Sequence, residues 1–205
     1  MPILSDEQNS LSALCDEDLM NRYGEGDMDA FEELFQRHKS SVYAFIYHFT
    51  HGRGATDDLF QTVFLRVVRY RKRYKAKAKF TTWLFTITRS VCIDAIRKQK
   101  TADVIQLFPE NYNDKDPMDA SNYPGRGPSP FDAAYESELQ SAIDEIIACL
   151  SPEQREVLLL REKTDLTFDE IGEIIHCSAN TAKSRMHYAL LALRKGLRER
   201  GFEEP

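Results

Sequence analysis

Residues 150–197, LSPEQREVLLLREKTDLTFDEIGEIIHCSANTAKSRMHYALLALRKGL, decide how this chain folds. Ser151-Pro152-Glu153 reads as a helix start: a capping hydroxyl, a proline at the first helical position and an acid in the first turn. Thr167-Phe168-Asp169-Glu170 fits a capping box ahead of the apolar Ile171, Ile174 and Ile175. The break His176-Cys177-Ser178 is short, and Ser178 starts a further helix with Ala182, Met186, Ala189, Leu190 and Leu193 predicted inward. A helix followed by two helices across a short turn is the helix-turn-helix plan. Asn180, Thr181, Lys183, Ser184, Arg185, His187 and Tyr188 then point outward, and such residues anchor phosphates and hydrogen-bond base edges. On a plain helical hairpin the same face would simply be solvated, and the motif alone leaves the two readings even.

Upstream, helical spacing resumes near Phe131 in the stripe Leu139, Ile143, Ile146, Ile147 and Leu150. Residues 101–135 read differently. Pro109, Pro117, Pro124, Pro128 and Pro130 stand among Asn, Asp, Gly and Ser, which predicts a helix-free linker. Before it, residues 16–100 are helical in period throughout, with no alternating strand pattern. Phe31, Leu34, Phe35, Val42, Phe45 and Ile46 mark a helix from about Asp27. His51-Gly52-Arg53-Gly54 interrupts it. Thr56 reads as the cap of a second helix, with Asp57 and Asp58 in its first turn and Leu59, Val63, Phe64 and Val67 inward. A third, from about Thr81, buries Leu84, Ile87, Val91 and Ala95.

The 205 residues carry a net charge of −6 at 42% hydrophobic composition, which suits folded domains and argues against a uniformly basic nucleic-acid coat. The average conceals segregation. Residues 1–40 are net −7, residues 41–100 net +10, residues 101–150 net −8 and residues 151–205 net −1. Within RVVRYRKRYKAKAKFTTWLF, cations alternate with Tyr70, Tyr74, Phe80, Trp83 and Phe85. Cations neutralise phosphates and exposed rings stack on unpaired bases, a pairing suited to single strands. Phe85 fits the core better. No apolar run approaches a membrane span, and MPILSDEQNS lacks the basic and apolar regions of a secretory signal. Cys15, Cys92, Cys149 and Cys177 are scattered, predicting reduced cytoplasmic thiols; for Cys149 and Cys177 two readings stand, oxidant sensors or, as favoured, buried inert thiols.

Enzymatic chemistry finds little support. Asp57 and Asp58 diverge by about 100° on a helix, so they make a poor metal pair. His176-Cys177 has no second pair at zinc spacing, and there is no phosphate loop or nucleophile motif. No cofactor and no metal are expected.

Both halves together resemble one family, the bacterial RNA polymerase sigma factors of the extracytoplasmic-function (ECF) group. GDMDAFEELFQRH resembles the opening helix of sigma region 2, ATDDLFQTVFLRV its core-binding helix and KFTTWLFTITRSVCIDAIRK its promoter-melting segment. The stretch quoted first resembles region 4. The resemblance implies an all-α chain of two small helical domains joined by a flexible acidic linker: a tail over 1–15, region 2 over 16–100, the linker over 101–135 and region 4 over 136–205.

It further implies a non-enzymatic factor that directs core RNA polymerase to promoters. Asp58, Leu59, Gln61 and Phe64 match the surface for the polymerase β′ clamp helices. Arg69, Arg71, Lys72, Arg73, Tyr74, Lys77, Lys79, Phe80, Trp83, Arg89, Ser90 and Arg97 fall in the segment that opens the −10 element, with Trp83 at the flipped base. Ser178, Asn180, Thr181, Lys183, Ser184, Arg185 and His187 match the helix that reads the −35 element, on a domain resting on the β flap. The linker would thread the polymerase channel. An anti-sigma factor is the implied regulator, and the cytoplasm the implied place.

Three positions depart from the family pattern. Ser90 stands where asparagine is common, the loop KAKAKF is unusually rich in lysine, and His176 occupies a turn position where glycine is usual. Two other readings remain: a stand-alone helix-turn-helix regulator, which leaves the basic-aromatic tract without a role, and a nucleic-acid-processing enzyme using Asp57, Asp58 and His176.

Overall fold

In the computed structural model, residues 11–50, 56–76, 78–105 and 130–202 are described, and among them there is no strand. The helices are α1 (Asp16–Glu25), α2 (Met28–Thr50), α3 (Thr56–Tyr70), α4 (Phe80–Ile105), α5 (Pro130–Cys149), α6 (Pro152–Lys163), α7 (Phe168–Ile175) and α8 (Ala179–Glu199), with a 3₁₀ turn at Arg71–Arg73. The fold is all-α, as expected, in two helical units: α1–α4 and α5–α8. No helix among the described residues is long and apolar enough to cross a membrane.

Local chemistry sets the first unit's boundaries. Gly26 at φ 113° ends α1, its N–H returning to the last carbonyls of that helix. Asp27 then caps α2, accepting from the N–H groups of Asp29 and Ala30 at 3.1 and 3.2 Å. Thr56, expected as a cap, is the first helical residue of α3. Phe45, Phe85, Leu34, Ile46 and Leu84 are fully buried between α2 and α4, confirming Phe85 as core. Phe31, Phe35, Phe60 and Phe64 form an edge-to-face aromatic cluster between α2 and α3.

Residues 11–15, the end of the expected N-terminal tail, are tied down by Arg37. Its guanidinium donates to the carbonyls of Leu11, Ser12 and Leu14 and to the carboxylates of Asp16 and Glu33. The other Asp16 oxygen lies 2.6 Å from His38 Nε2. Burial pushes the Asp16 carboxyl up, but His38 and Arg37 outweigh it and hold it below the usual range.

In the second unit the predicted caps form. Ser151 and Gln154 make a capping box at α6, Thr167 and Glu170 another at α7, and Ser178 accepts from Thr181 N–H to start α8. The buried Arg155 donates to the carbonyls of Ile147, Ala148 and Leu150, satisfying carbonyls that the end of α5 leaves without helical partners. Between α7 and α8 the turn depends on two residues. His176 is left-handed at φ 58°, ψ 50°. Gly172 has no room for a side chain: a Cβ would lie 2.6 Å from the Cys177 carbonyl oxygen.

Several expectations change. Helix α4 runs to Ile105 and α5 begins at Pro130, so both ends of the stretch predicted as helix-free are helical. The physical reason at Pro130 is that proline is well suited to a first helical position, where its missing N–H has no partner to lose. Residues 106–129, the centre of the predicted linker, lie outside the described residues. Leu190, expected inward, is 37% exposed, because Ala189 takes the buried position. The four thiols are free as expected, but Cys149 is exposed and Cys177 only half-buried; Cys92 is the buried one, its thiol pushed up to about 12 by desolvation.

Two measurements check this account. A left-handed histidine costs about 1 kcal/mol relative to glycine, so His176→Gly is expected to raise the melting temperature by about 2–4 °C, and Gly172→Ala to cost about 1–3 kcal/mol by overpacking the turn. Asp16, depressed in the fold, contributes stability that is present above its unfolded value near pH 4 and lost as pH falls through the lower folded value. Thermal melts below about pH 4 should therefore decline less steeply in Asp16→Asn than in the parent.

Candidate nucleic-acid interface

Three surfaces collect the residues of interest. The first spans the end of α3, the 3₁₀ turn and the start of α4. Arg69, Lys72 and Arg73 are exposed, and Arg71 is half-buried. Arg69 and Arg73 flank the Tyr70 ring, with guanidinium carbons 5.9 and 5.3 Å from its centroid, while Arg71 covers Tyr23 at 5.7 Å. These stacks hold the cations at fixed places without neutralising them.

Beside them, Tyr74, Phe80 and Trp83 pack together, with centroid separations of 5.3 Å for Tyr74–Trp83 and 5.9 Å for Phe80–Trp83. The three are not equivalent. Trp83 and Tyr74 are half-buried, and burial pushes the Tyr74 hydroxyl up to about 12, with Glu17 adding to the effect. Phe80 is 2% exposed and turned into the core, so its expected place on the nucleic-acid face is corrected. The cause is a distant cap: Glu17 of α1 accepts from Phe80 N–H at 2.7 Å and draws the start of α4 against α1.

Further along α4, Ser90 and Arg97 are exposed and Arg89 is half-buried. Arg66 of α3 donates to Ser90 Oγ at 3.4 Å and to Asp94 at 3.2 Å, joining the two helices on this face. Arg66 was not among the expected site residues, although it opens the basic tract. Lys77 lies outside the described residues. Lys79 and Arg89 are occupied by carboxylates of the second unit: Lys79 Nζ lies 3.0 Å from Glu170, and Arg89 pairs with Glu156. Burial pushes the Glu156 carboxyl up against the opposing pull of Arg89. Glu170 is also pushed up by burial, but the Thr167 N–H and Lys79 hold it below its usual range.

The second surface is the outer face of α3. Asp58 and Gln61 are exposed, Leu59 is half-buried, and Phe64 is 9% exposed within the aromatic cluster. Phe64 therefore belongs to the core in place of the docking surface expected of it. Leu65, one turn beyond Gln61, is 67% exposed and extends the face with an apolar side chain. Sequence periodicity could have found it, since 58, 61 or 62, and 65 share one helical stripe.

The third surface is α8. Asn180, Thr181, Lys183, Ser184 and His187 are exposed and Arg185 is half-buried, while Ala182, Met186 and Ala189 are buried. The hydroxyls are partly engaged: Ser178 Oγ lies 2.9 Å from Thr181 Oγ1, and Ser184 Oγ donates to the Asn180 carbonyl. Lys183, Asn180 and His187 keep their polar groups facing outward on adjacent turns. Among the described residues no cluster of His, Cys, Asp or Glu is arranged to hold a metal.

Comparison with known proteins agrees with this layout. The Sigma-70 region 2 model matches residues 34–102, and the Sigma-70, region 4 model matches residues 146–195. The RNA polymerase sigma factor CarQ of Myxococcus xanthus is 31% identical over 180 residues, covering 88% of this chain and 96% of that protein. The ECF RNA polymerase sigma factor SigW of Bacillus subtilis is also 31% identical, covering 85% and 92%. In solved structures, the fold is similar to CnrH in complex with the cytosolic domain of CnrY (TM-score 0.63, 17% identity, covering 90% of this chain and 97% of that one). It is likewise similar to the sigma factor RpoE bound to the anti-sigma factor NepR from Bartonella quintana (TM-score 0.62, 20% identity, covering 82% and 96%). With both region models matched in order and the near-full lengths of CarQ and SigW covered, this chain belongs to the ECF RNA polymerase sigma factors, non-enzymatic subunits that direct transcription initiation to promoters.

Proposed function

We propose that the two helical units divide promoter recognition between them. The observation that supports this most directly is the separation of two exposed basic faces, one on α3–α4 with a half-buried tryptophan beside it and one on α8. On the first, Arg69, Lys72 and Arg73 take phosphates of the opened −10 strand, and Trp83, braced by Tyr74 and Phe80, stacks on an unpaired base. Arg66, Ser90 and Arg97 extend that face along α4. The second unit sets α8 into the major groove of the −35 element, with Asn180, Lys183, Ser184, Arg185 and His187 toward bases and phosphates and Ser178 and Thr181 shaping the helix start.

The outer face of α3, with Asp58, Leu59, Gln61 and Leu65, docks on the β′ clamp helices of core polymerase, and the second unit rests on the β flap. The acidic residues between the units follow the positive channel of polymerase. An anti-sigma factor controls access to these faces; the similar RpoE of Bartonella quintana is solved in complex with the anti-sigma factor NepR, which supports such a partner. The factor works in the cytoplasm, where core polymerase and promoter DNA are found.

Core polymerase supplemented with this protein should start transcription at a restricted set of promoters, read by sequencing the 5′ ends of transcripts; absence of any start site overturns the proposal. Trp83→Ala should retain closed complexes while reducing permanganate reactivity of unpaired thymines at −10, and equal loss of both would remove Trp83 from the melting role. Arg185→Ala should weaken promoter recognition by about 1–3 kcal/mol if it reads a base, whereas a change confined to the salt dependence would reassign it to a phosphate.

A further inference from the structure

Helix α4 begins without a local cap. The residues before it, Ala76-Lys77-Ala78-Lys79, carry no side-chain acceptor, so nothing adjacent in sequence can take its first N–H groups. The acceptor comes from α1: Glu17 Oε1 takes the Phe80 N–H at 2.7 Å, across 63 positions. A carboxylate suits that place doubly, because it accepts the hydrogen bond and lies at the positive end of the helix dipole.

A cap placed here fixes more than a helix end. Phe80 and Trp83 lie one turn apart with ring centroids separated by 5.9 Å, and Tyr74 completes the group at 5.3 Å from Trp83 and 6.1 Å from Phe80. Tyr74 is itself tied to the approach to α4, its hydroxyl donating to the Ala78 carbonyl at 3.2 Å. The far end of the same connection is also held by α1, where the Arg71 guanidinium carbon lies 5.7 Å from the Tyr23 centroid. Glu17 and Tyr23 stand six positions apart on one helix, about 9 Å along its axis. Residues 74–79 could reach about 20 Å if fully extended. Chain length therefore leaves the connection slack, and the two contacts with α1 set where Tyr74 meets Trp83. Helix α1 is in turn fixed to α2, through Asp16 with Arg37 and His38. The His38 ring stands 5.3 Å from Phe80 and backs the same group.

We infer that Glu17 is a positioning residue for promoter opening: by capping α4 from α1 it holds Trp83 and Tyr74 in the arrangement that receives an unpaired base. The inference rests on the assignment of Trp83 to −10 opening proposed above. Glu17 itself touches no DNA. It acts by ordering the Trp83 ring in advance, since a ring ordered only on binding loses part of its stacking energy to lost freedom.

The chain carries one tryptophan, so its fluorescence reports Trp83 alone. The test uses the full chain carrying Glu17→Ala, with Glu17→Gln as the conservative variant. Arg22→Ala, which breaks the 3.6 Å pair of Arg22 with Asp27 at the end of the same helix, is the control. Helical circular dichroism checks folding, and Glu17→Asp, one methylene short of Phe80, serves should Glu17→Ala not fold. In the free protein, Glu17→Ala is expected to leave Trp83 more readily quenched by acrylamide. With core polymerase, permanganate reactivity of unpaired −10 thymines should fall about fivefold at unchanged closed-complex formation, the equivalent of the ~1 kcal/mol that loss of a helix cap costs. Glu17→Gln should restore most of both, because it keeps the acceptor oxygen, and Arg22→Ala should match the parent. Unchanged quenching or unchanged opening in the folded variant overturns the inference, as does an equal loss of opening and of closed complexes. Trp83→Ala is read beside it: normal opening there defeats the role assigned to Trp83, whereas defective opening there with normal opening in Glu17→Ala defeats only the positioning by Glu17.

Discussion

The central stretch of α6 needs cover on every side, and the packing of the two units follows from that need. Arg155, Glu156, Val157, Leu158, Leu159 and Leu160 are all buried, a run no single neighbouring helix can shield. Helix α8 covers one side from within the second unit, and α2 covers another from the first. Six consecutive buried residues face every direction around a helix, so this stretch finds its minimum only inside a larger body. This burial draws the two units together, brings α4 to α7, and sets Glu156 and Glu170 against Arg89 and Lys79.

The same contact explains how a chain with net negative charge carries a face for nucleic acid. Its cations sit in one block of net +10, and the structure arranges them in two ways. Arg69, Arg71 and Arg73 are stacked on tyrosine rings and keep their charge available. Lys79 and Arg89 are matched by carboxylates from the other unit.

The local grammar was legible without coordinates. Ser151, Thr167 and Ser178 act as caps because the hydroxyl and the N–H it accepts from lie within three residues. The exposed face of α8 followed from its 3.6-residue period, apart from Leu190, which sits beside Ala189 at the boundary of the buried stripe. Phe64 and Phe80 were misplaced for a different reason. Periodicity and composition mark an aromatic residue as useful without saying whether its ring meets solvent or another ring. Phe80 is buried because Glu17, distant in sequence, caps α4 from α1. Residues 11–15 are held because Arg37 reaches back from α2.

The amino-acid sequence by itself determined the helices, most of their ends, the two-unit plan, the charge blocks and the family, because each of these depends on residues close together or on motifs in fixed order. The tertiary structure decided which rings are core, which cations are free and which carboxylates oppose them. Those choices depend on pairs of residues 63 to 91 positions apart, Glu17 with Phe80, Arg89 with Glu156 and Lys79 with Glu170, and no local pattern encodes a partner that only packing brings within reach.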